Sequence, residues 1–265
     1  MHRIFLLRAF GDFVIFLNAF ARSSKKDQFT IVASVHLKPL YDAIIETCPL
    51  EGIHIEFVDF GIDKGQLRIF TNKHFISAQT FKETNAIKAF IQNHPNTKGI
   101  DYIEQDKRIG LLNFLIGHNF QFILDRSEVY KAYDHFFENS ISPIAIEFTS
   151  QKNIVVFPDS RLTKKDIPSS IVERIIKEAI QKGKTIQVAK FGDAYNNFNK
   201  LIKLIMQSDL VIGADSLPIH IAALLNKPHY ILYADGLTQN FMTPFAANQK
   251  SFGTFNDYDL SAYLS

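Results

Sequence analysis

Short apolar runs alternate with longer amphipathic stretches along this chain, and the two periods separate strands from helices. Arg3–Leu7 reads as a buried strand, followed by a turn at Gly11 and a helix from Asp12 to about Arg22. Phe29–Val35 is a second strand, Lys38–Thr47 a helix, and Ile53–Val58 a third strand with apolar residues at alternate positions. A long helical stretch runs from about Ile76 to Asn93 and stops before Pro95. Phe120–Leu124 is a further strand and Glu128–Phe137 a further helix. Strands alternating with helices predict parallel sheets covered on both faces.

The polar segment Glu138-Asn139-Ser140-Ile141-Ser142-Pro143 interrupts this pattern near the middle. It divides the chain into expected domains 1–143 and 144–265. The second half repeats the alternation: strand Asn153–Phe157, helix Asp166–Lys182 with Pro168 in its first turn and Gly183 after its end, strand Thr185–Ala189. Helix Tyr195–Gln207, strand Asp209–Gly213, helix Ser216–Asn226 and strand His229–Tyr233 follow. The last segment, with Phe241, Phe245, Tyr258, Leu260 and Tyr263, is expected as a helix packed back across the lobes. The fold class is α/β, with two Rossmann-like lobes whose parallel sheets face each other across a cleft. Ligands bind at the carboxyl ends of such strands.

Composition changes this picture only at the margins. The chain has 265 residues, 46% apolar and 21% charged, which allows packed cores and excludes wholesale disorder. A net charge of +2 gives no global field that calls for nucleic acid. Cys48 is the single cysteine, so no intrachain disulfide and no cysteine zinc site can form, in keeping with a reducing cytoplasm. The apolar start, Ile4-Phe5-Leu6-Leu7, is broken by Arg8, Gly11 and Asp12 and reads as a strand rather than a signal peptide. No run approaches the roughly 18 apolar residues that span a bilayer. Arg22, Lys25 and Lys26 follow an apolar helix and offer a peripheral contact with an anionic membrane face, though a solvated helix end is the plainer reading. No histidine pairing has metal-ligand spacing, and Asp257-Tyr258-Asp259 is near the tail.

The candidate chemistry lies in three segments. In the run from Asp209 to Tyr233 a buried strand ends at Gly213, and Asp215 and Ser216 open a helix with His220 one turn on. Ser216 suits an N-cap, and unpaired N–H groups at a helix start attract phosphate. In isolation, these residues read more readily as a capped helix with a satisfied histidine. Gly213, Asp215, His220, Ala222, Ala223, Lys227 and Pro228 fall in register with the diphosphate-binding segment of the family 9 glycosyltransferases, the bacterial lipopolysaccharide heptosyltransferases, which this chain resembles. Ser216 replaces a threonine and Leu217 a glycine of that pattern. The second segment, Val155 to Pro168, resembles the family's strand and loop, with Lys165 on its phosphate-binding lysine and Asp159 in place of a glycine. Lys164 and Arg161 supply further charge there. The third, Ile4 to Asp12, resembles the family's strand–loop–Gly–Asp opening, with a loop about two residues shorter and a usual proline missing.

The resemblance implies an inverting, metal-independent transferase. It would move a sugar from a nucleotide diphosphate donor, ADP-heptose by family, to a lipopolysaccharide or other glycan acceptor. Asp12 would be the general base. Lys165, Arg161, Gly213, Asp215, Ser216, Leu217 and His220 would hold the donor, and no metal or other cofactor would be needed. An epimerase or hydrolase of the same fold, or a non-catalytic nucleotide- or glycan-binding protein, are the alternatives.

Overall fold

The computed structural model describes residues 1–63, 65–71, 76–104, 108–123, 128–139, 152–190 and 197–264. The chain folds into two compact units, Met1–Ile45 with Pro49–Asn139, and Ser140–Ser265 with Glu46–Cys48. The expected boundary at residue 143 and the Tyr195 start of a helix lie outside the described residues.

In the first unit the order is β1 (His2–Leu6), α1 (Phe10–Arg22), β2 (Phe29–Ser34), α2 (Lys38–Thr47), β3 (Ile55–Val58) and α3 (Ala78–Asn93). Then follow β4 (Asp101–Ile103), α4 (Ile109–Ile116), β5 (Gln121–Phe122) and α5 (Val129–Phe136). The five strands form one parallel sheet in the order β3-β2-β1-β4-β5. Ile4 pairs with Ile31 on one side and Tyr102 on the other. The chain leaves β1 towards β2 and β3, then returns to the far side of β1 with β4, so the order reverses between β1 and β4.

Helix α1 shows why this unit is rich in phenylalanine. Phe13, Phe16 and Phe20 recur at helical spacing and are fully buried. Phe16 stacks on Phe20 at 5.2 Å and meets Tyr133 and Phe137 at the α5 end edge-on at 5.8 Å. Each such ring contributes on the order of 2–3 kcal/mol by burial. The helix carries Asp12 in its first turn and Arg22 in its last, both favoured by the helix dipole. Arg22 pairs with Asp134 at 2.7 Å, Lys25 pairs with Glu138, and Lys26 donates to the Glu51 carbonyl. The three cations considered for membrane contact therefore have partners within the protein. No helix among the described residues is long and apolar enough to cross a membrane.

The second unit contains β6 (Asn153–Phe157), α6 (Ser169–Gln181), β7 (Thr185–Val188), α7 (Phe198–Gln207), β8 (Leu210–Ala214) and α8 (Leu217–Leu224). It ends with β9 (His229–Tyr233), α9 (Pro244–Gln249), β10 (Phe252–Thr254) and α10 (Ser261–Leu264). Its parallel sheet runs β10-β9-β8-β6-β7, so its order reverses between β6 and β8. Pro168, expected inside the first turn of α6, occupies the position just before it, and Gly183 closes the helix with φ +71. The last segment forms β10 and two short helices rather than a single helix. Its Leu260, Tyr263 and Leu264 join the core of this unit with Val156, Ile175, Leu210 and Leu232.

Candidate active site

In an open parallel sheet, the loops at the point of strand-order reversal diverge to opposite faces and leave a crevice at the carboxyl ends. Each sheet has such a point among the described residues, and charged side chains meet at both. In the first unit the loops after β1 and β4 and the first turn of α1 bring Arg8, Glu104 and Asp12 together. In the second the loops after β6 and β8 bring Lys165 and Asp215 together.

Asp12 lies one turn after Arg8, and its Oδ2 accepts from Arg8 Nε at 3.3 Å. The same Nε reaches Glu104 Oε2 at 3.0 Å. Glu104 directly follows β4, is buried, and accepts the Tyr133 hydroxyl at Oε1, 2.8 Å away. Tyr133 is wholly buried, and burial together with the Glu104 charge pushes its pKa well up, so it stays a donor. Phe70 lies under the Arg8 guanidinium at 5.7 Å, and Leu67 N–H donates to the Leu7 carbonyl, which seats this segment beside β1. His36 lies beyond β2, with Nε2 3.2 Å from the Arg8 carbonyl and Nδ1 2.8 Å from Ser34 Oγ. Burial lowers its pKa against the carbonyls of Arg8 and Gly65, which favour the charged form.

In the second unit the loop after β6 is folded on itself. Asp166 Oδ1 accepts from Ser160 N–H at 2.6 Å, and Ile167 N–H donates to the Pro158 carbonyl at 2.8 Å. The helical turn Thr163–Lys165 then aims Lys165 at Asp215. Lys165 Nζ is 2.6 Å from Asp215 Oδ2 and 3.4 Å from the Asp215 carbonyl. Phe241 lies 5.4 Å below this ammonium, a cation–π contact, and its ring is 6.2 Å from that of His220. His220 Nε2 is 3.7 Å from Asp215 Oδ1, too far for a hydrogen bond. Tyr233, at the end of β9, is pushed up by burial and then by the Asp215 charge, and its hydroxyl donates to Met242 sulfur at 3.8 Å.

Two expectations from the sequence change here. Ser216 does occupy the N-cap of α8, but its side chain makes no capping bond, and Oγ is buried without a hydrogen-bond partner. Pro218 in the first turn contributes no N–H, and Ile219 N–H donates to the Ser216 carbonyl at 3.1 Å. The turn therefore offers fewer backbone donors than its sequence suggested, and Lys165 supplies the formal positive charge beside it. Gly213 is in addition tightly packed: a Cβ there would lie 3.2 Å from Ile219 and 3.3 Å from the Phe157 carbonyl. Leu217 is half-buried beside Ser216, and Arg161 is exposed on the loop that carries Lys165. Arg8, Glu104, Tyr133, Tyr233 and Phe241 are the site members that sequence reasoning missed.

The sequence model of glycosyltransferase family 9 (heptosyltransferase) matches residues 173–261, which include Gly213, Asp215, Ser216, Leu217 and His220. No curated protein matches the sequence. Among solved structures, the chain is similar to E. coli ADP-heptose lps heptosyltransferase II, with a TM-score of 0.56 at 11% identity, over 96% of this chain and 90% of that one. It is similar to E. coli heptosyltransferase WaaC with ADP, with a TM-score of 0.54 at 13% identity over 94% and 98%. A glycosyl transferase family 9 structure from Veillonella parvula gives 0.59 at 16% identity over 98% and 86%. A segment of the second unit thus matches the family 9 glycosyltransferase model, on an α/β fold with two parallel sheets that is similar to solved heptosyltransferases.

Proposed function

We propose that this chain is an inverting glycosyltransferase that takes a sugar from a nucleoside diphosphate, ADP-heptose being the first donor to test. The acceptor is a hydroxyl of lipopolysaccharide or another glycan. The carrying observation is the turn between β8 and α8: it falls within the family match, lies at a strand-order reversal, and holds Asp215 against Lys165 at 2.6 Å.

In this reading the second unit holds the donor. Lys165 donates to the diphosphate with the hydrogens not engaged by Asp215, and Asp215 fixes the ammonium in place. Arg161 adds charge from the same loop, and His220 and Ser216 border the turn. These groups stabilise negative charge as the bond from the anomeric carbon to phosphate breaks, in the manner of preorganised donors, without a divalent ion. The first unit holds the acceptor. Asp12 accepts the hydroxyl proton while the acceptor oxygen bonds the anomeric carbon from the face opposite the leaving group, and a nucleoside diphosphate departs. The setting is the cytoplasm, with the acceptor on the inner membrane face.

The test is product analysis with ADP-, UDP- and GDP-sugars, with and without a lipopolysaccharide-core acceptor. Acceptor-dependent release of the nucleoside diphosphate supports transfer. Equal release without acceptor identifies a hydrolase, and no turnover of any donor overturns the reading.

A further inference from the structure

We infer that Glu104, held by the Tyr133 hydroxyl, is a positioning residue for Asp12, acting through Arg8; this inference rests on the proposed role of Asp12 as base. Arg8 carries one positive charge between two carboxylates. Its Nε is shared, 3.0 Å to Glu104 Oε2 and 3.3 Å to Asp12 Oδ2, and the shorter contact goes to the more buried partner. Glu104 has 3% of its side chain exposed and Asp12 has 16%. Among the described residues, Arg8 is the side chain that donates to Asp12, and it does so at Oδ2. The Arg8 contact engages Oδ2 and not Oδ1.

A buried carboxylate is a poor device for stability alone. Its desolvation offsets most of what its partners return, and an apolar residue of similar size often does as well or better. What such a group does supply is a fixed geometry. Glu104 meets that description: one oxygen takes Arg8, the other takes a tyrosine packed against Phe16 and Phe137. The guanidinium is further set by the Phe70 ring. With Glu104 neutral, the whole of the Arg8 charge turns to Asp12, and the carboxylate rotates towards it and away from the acceptor. A charge balance then exists before the reaction that otherwise appears only when Asp12 takes the proton.

The experiment compares wild type with Glu104→Gln and Tyr133→Phe in two readouts. The first is hydrogen exchange of the Arg8 Nε–H by nitrogen-15 NMR, which needs no substrate. Slow exchange in wild type and at least tenfold faster exchange in Glu104→Gln is expected. The second is steady-state transfer: kcat falls about tenfold or more while the donor KM stays within about twofold, since misplacement of a reacting group acts on the chemical step. Tyr133→Phe shows the same split more weakly. Fast exchange in wild type overturns the anchor, and unchanged kcat in Glu104→Gln overturns the positioning role. If wild type transfers no sugar, the function falls and takes the catalytic half of this inference with it, while the exchange readout still decides the anchor.

Discussion

Replacing Lys165 with methionine isolates the contact on which the proposed donor site is built. The aliphatic stem is kept and the charge is lost, so Asp215 is left as a carboxylate with 5% of its side chain exposed and no cation at 2.6 Å. Breaking a buried pair from one side costs roughly 3–5 kcal/mol, because the remaining charge stays desolvated. Lys165 keeps 21% of its side-chain surface, which lets water reach the vacated position and sets the expectation at the lower end, about 3 kcal/mol. Asp215→Asn leaves a partly solvated ammonium instead and costs less, about 1–2 kcal/mol. The double variant removes both charges and costs less than the sum, with a coupling of about 1–2 kcal/mol. Urea unfolding followed by circular dichroism, with hydrogen exchange of the β8 amides, reads these values in the unit concerned. A Lys165→Met cost below about 1 kcal/mol, or additive singles, shows a solvated surface pair and refutes the reasoning.

Three further outcomes follow from particular contacts. His229 is wholly buried, its Nδ1–H donating to the Lys227 carbonyl and its Nε2 accepting from Thr243 at 2.6 Å, and burial lowers its pKa to about 4. The unfolded chain binds that proton near pH 6.5, so the stabilisation is complete above pH 6.5 and is lost as pH falls towards 4. About 2 kcal/mol goes between pH 7 and 5 from this group, and subtracting the same pH series for His229→Gln reveals it. Gly213→Ala forces a methyl to 3.2 Å from Ile219 and lowers stability by about 1–3 kcal/mol in chemical denaturation. Asp12→Asn lowers kcat by roughly 10²- to 10⁴-fold with nucleotide affinity nearly unchanged, measured by steady-state kinetics and calorimetry; equal activity would end the base assignment.

Much of the alternation was legible because the strands are continuous β-branched or aromatic runs bounded by polar turns. Lys38–Thr47, Asn153–Phe157 and His229–Tyr233 are found at the residues read from the sequence. Strand β4 escaped notice because it has three residues, one of them Asp101, whose carboxylate is held by Arg3 through a paired contact of 2.8 and 2.6 Å. Helix α4 escaped because Ile109-Gly-Leu-Leu-Asn-Phe-Leu-Ile116 is apolar on nearly all sides and shows no helical period. Missing β4 meant missing Glu104, which follows it. The Arg8–Glu104 contact joins residues far apart in the chain and is invisible to any local pattern. On the proposed donor side, the resemblance supplied Lys165 and Asp215 as separate residues. Their direct pairing, and the Phe241 ring beneath it, arise only from folding of the Pro158–Asp166 loop.

The central claim is that the β8–α8 turn and Lys165 hold a nucleoside diphosphate. Titration calorimetry of the wild-type protein with ADP, UDP, GDP and CDP tests it directly, paired with Lys165→Met at a temperature where that variant is folded. The account predicts saturable binding of at least one of the four by wild type, weakened at least tenfold by the substitution. Wild-type protein that binds none of them, or a variant that binds as tightly, would contradict it.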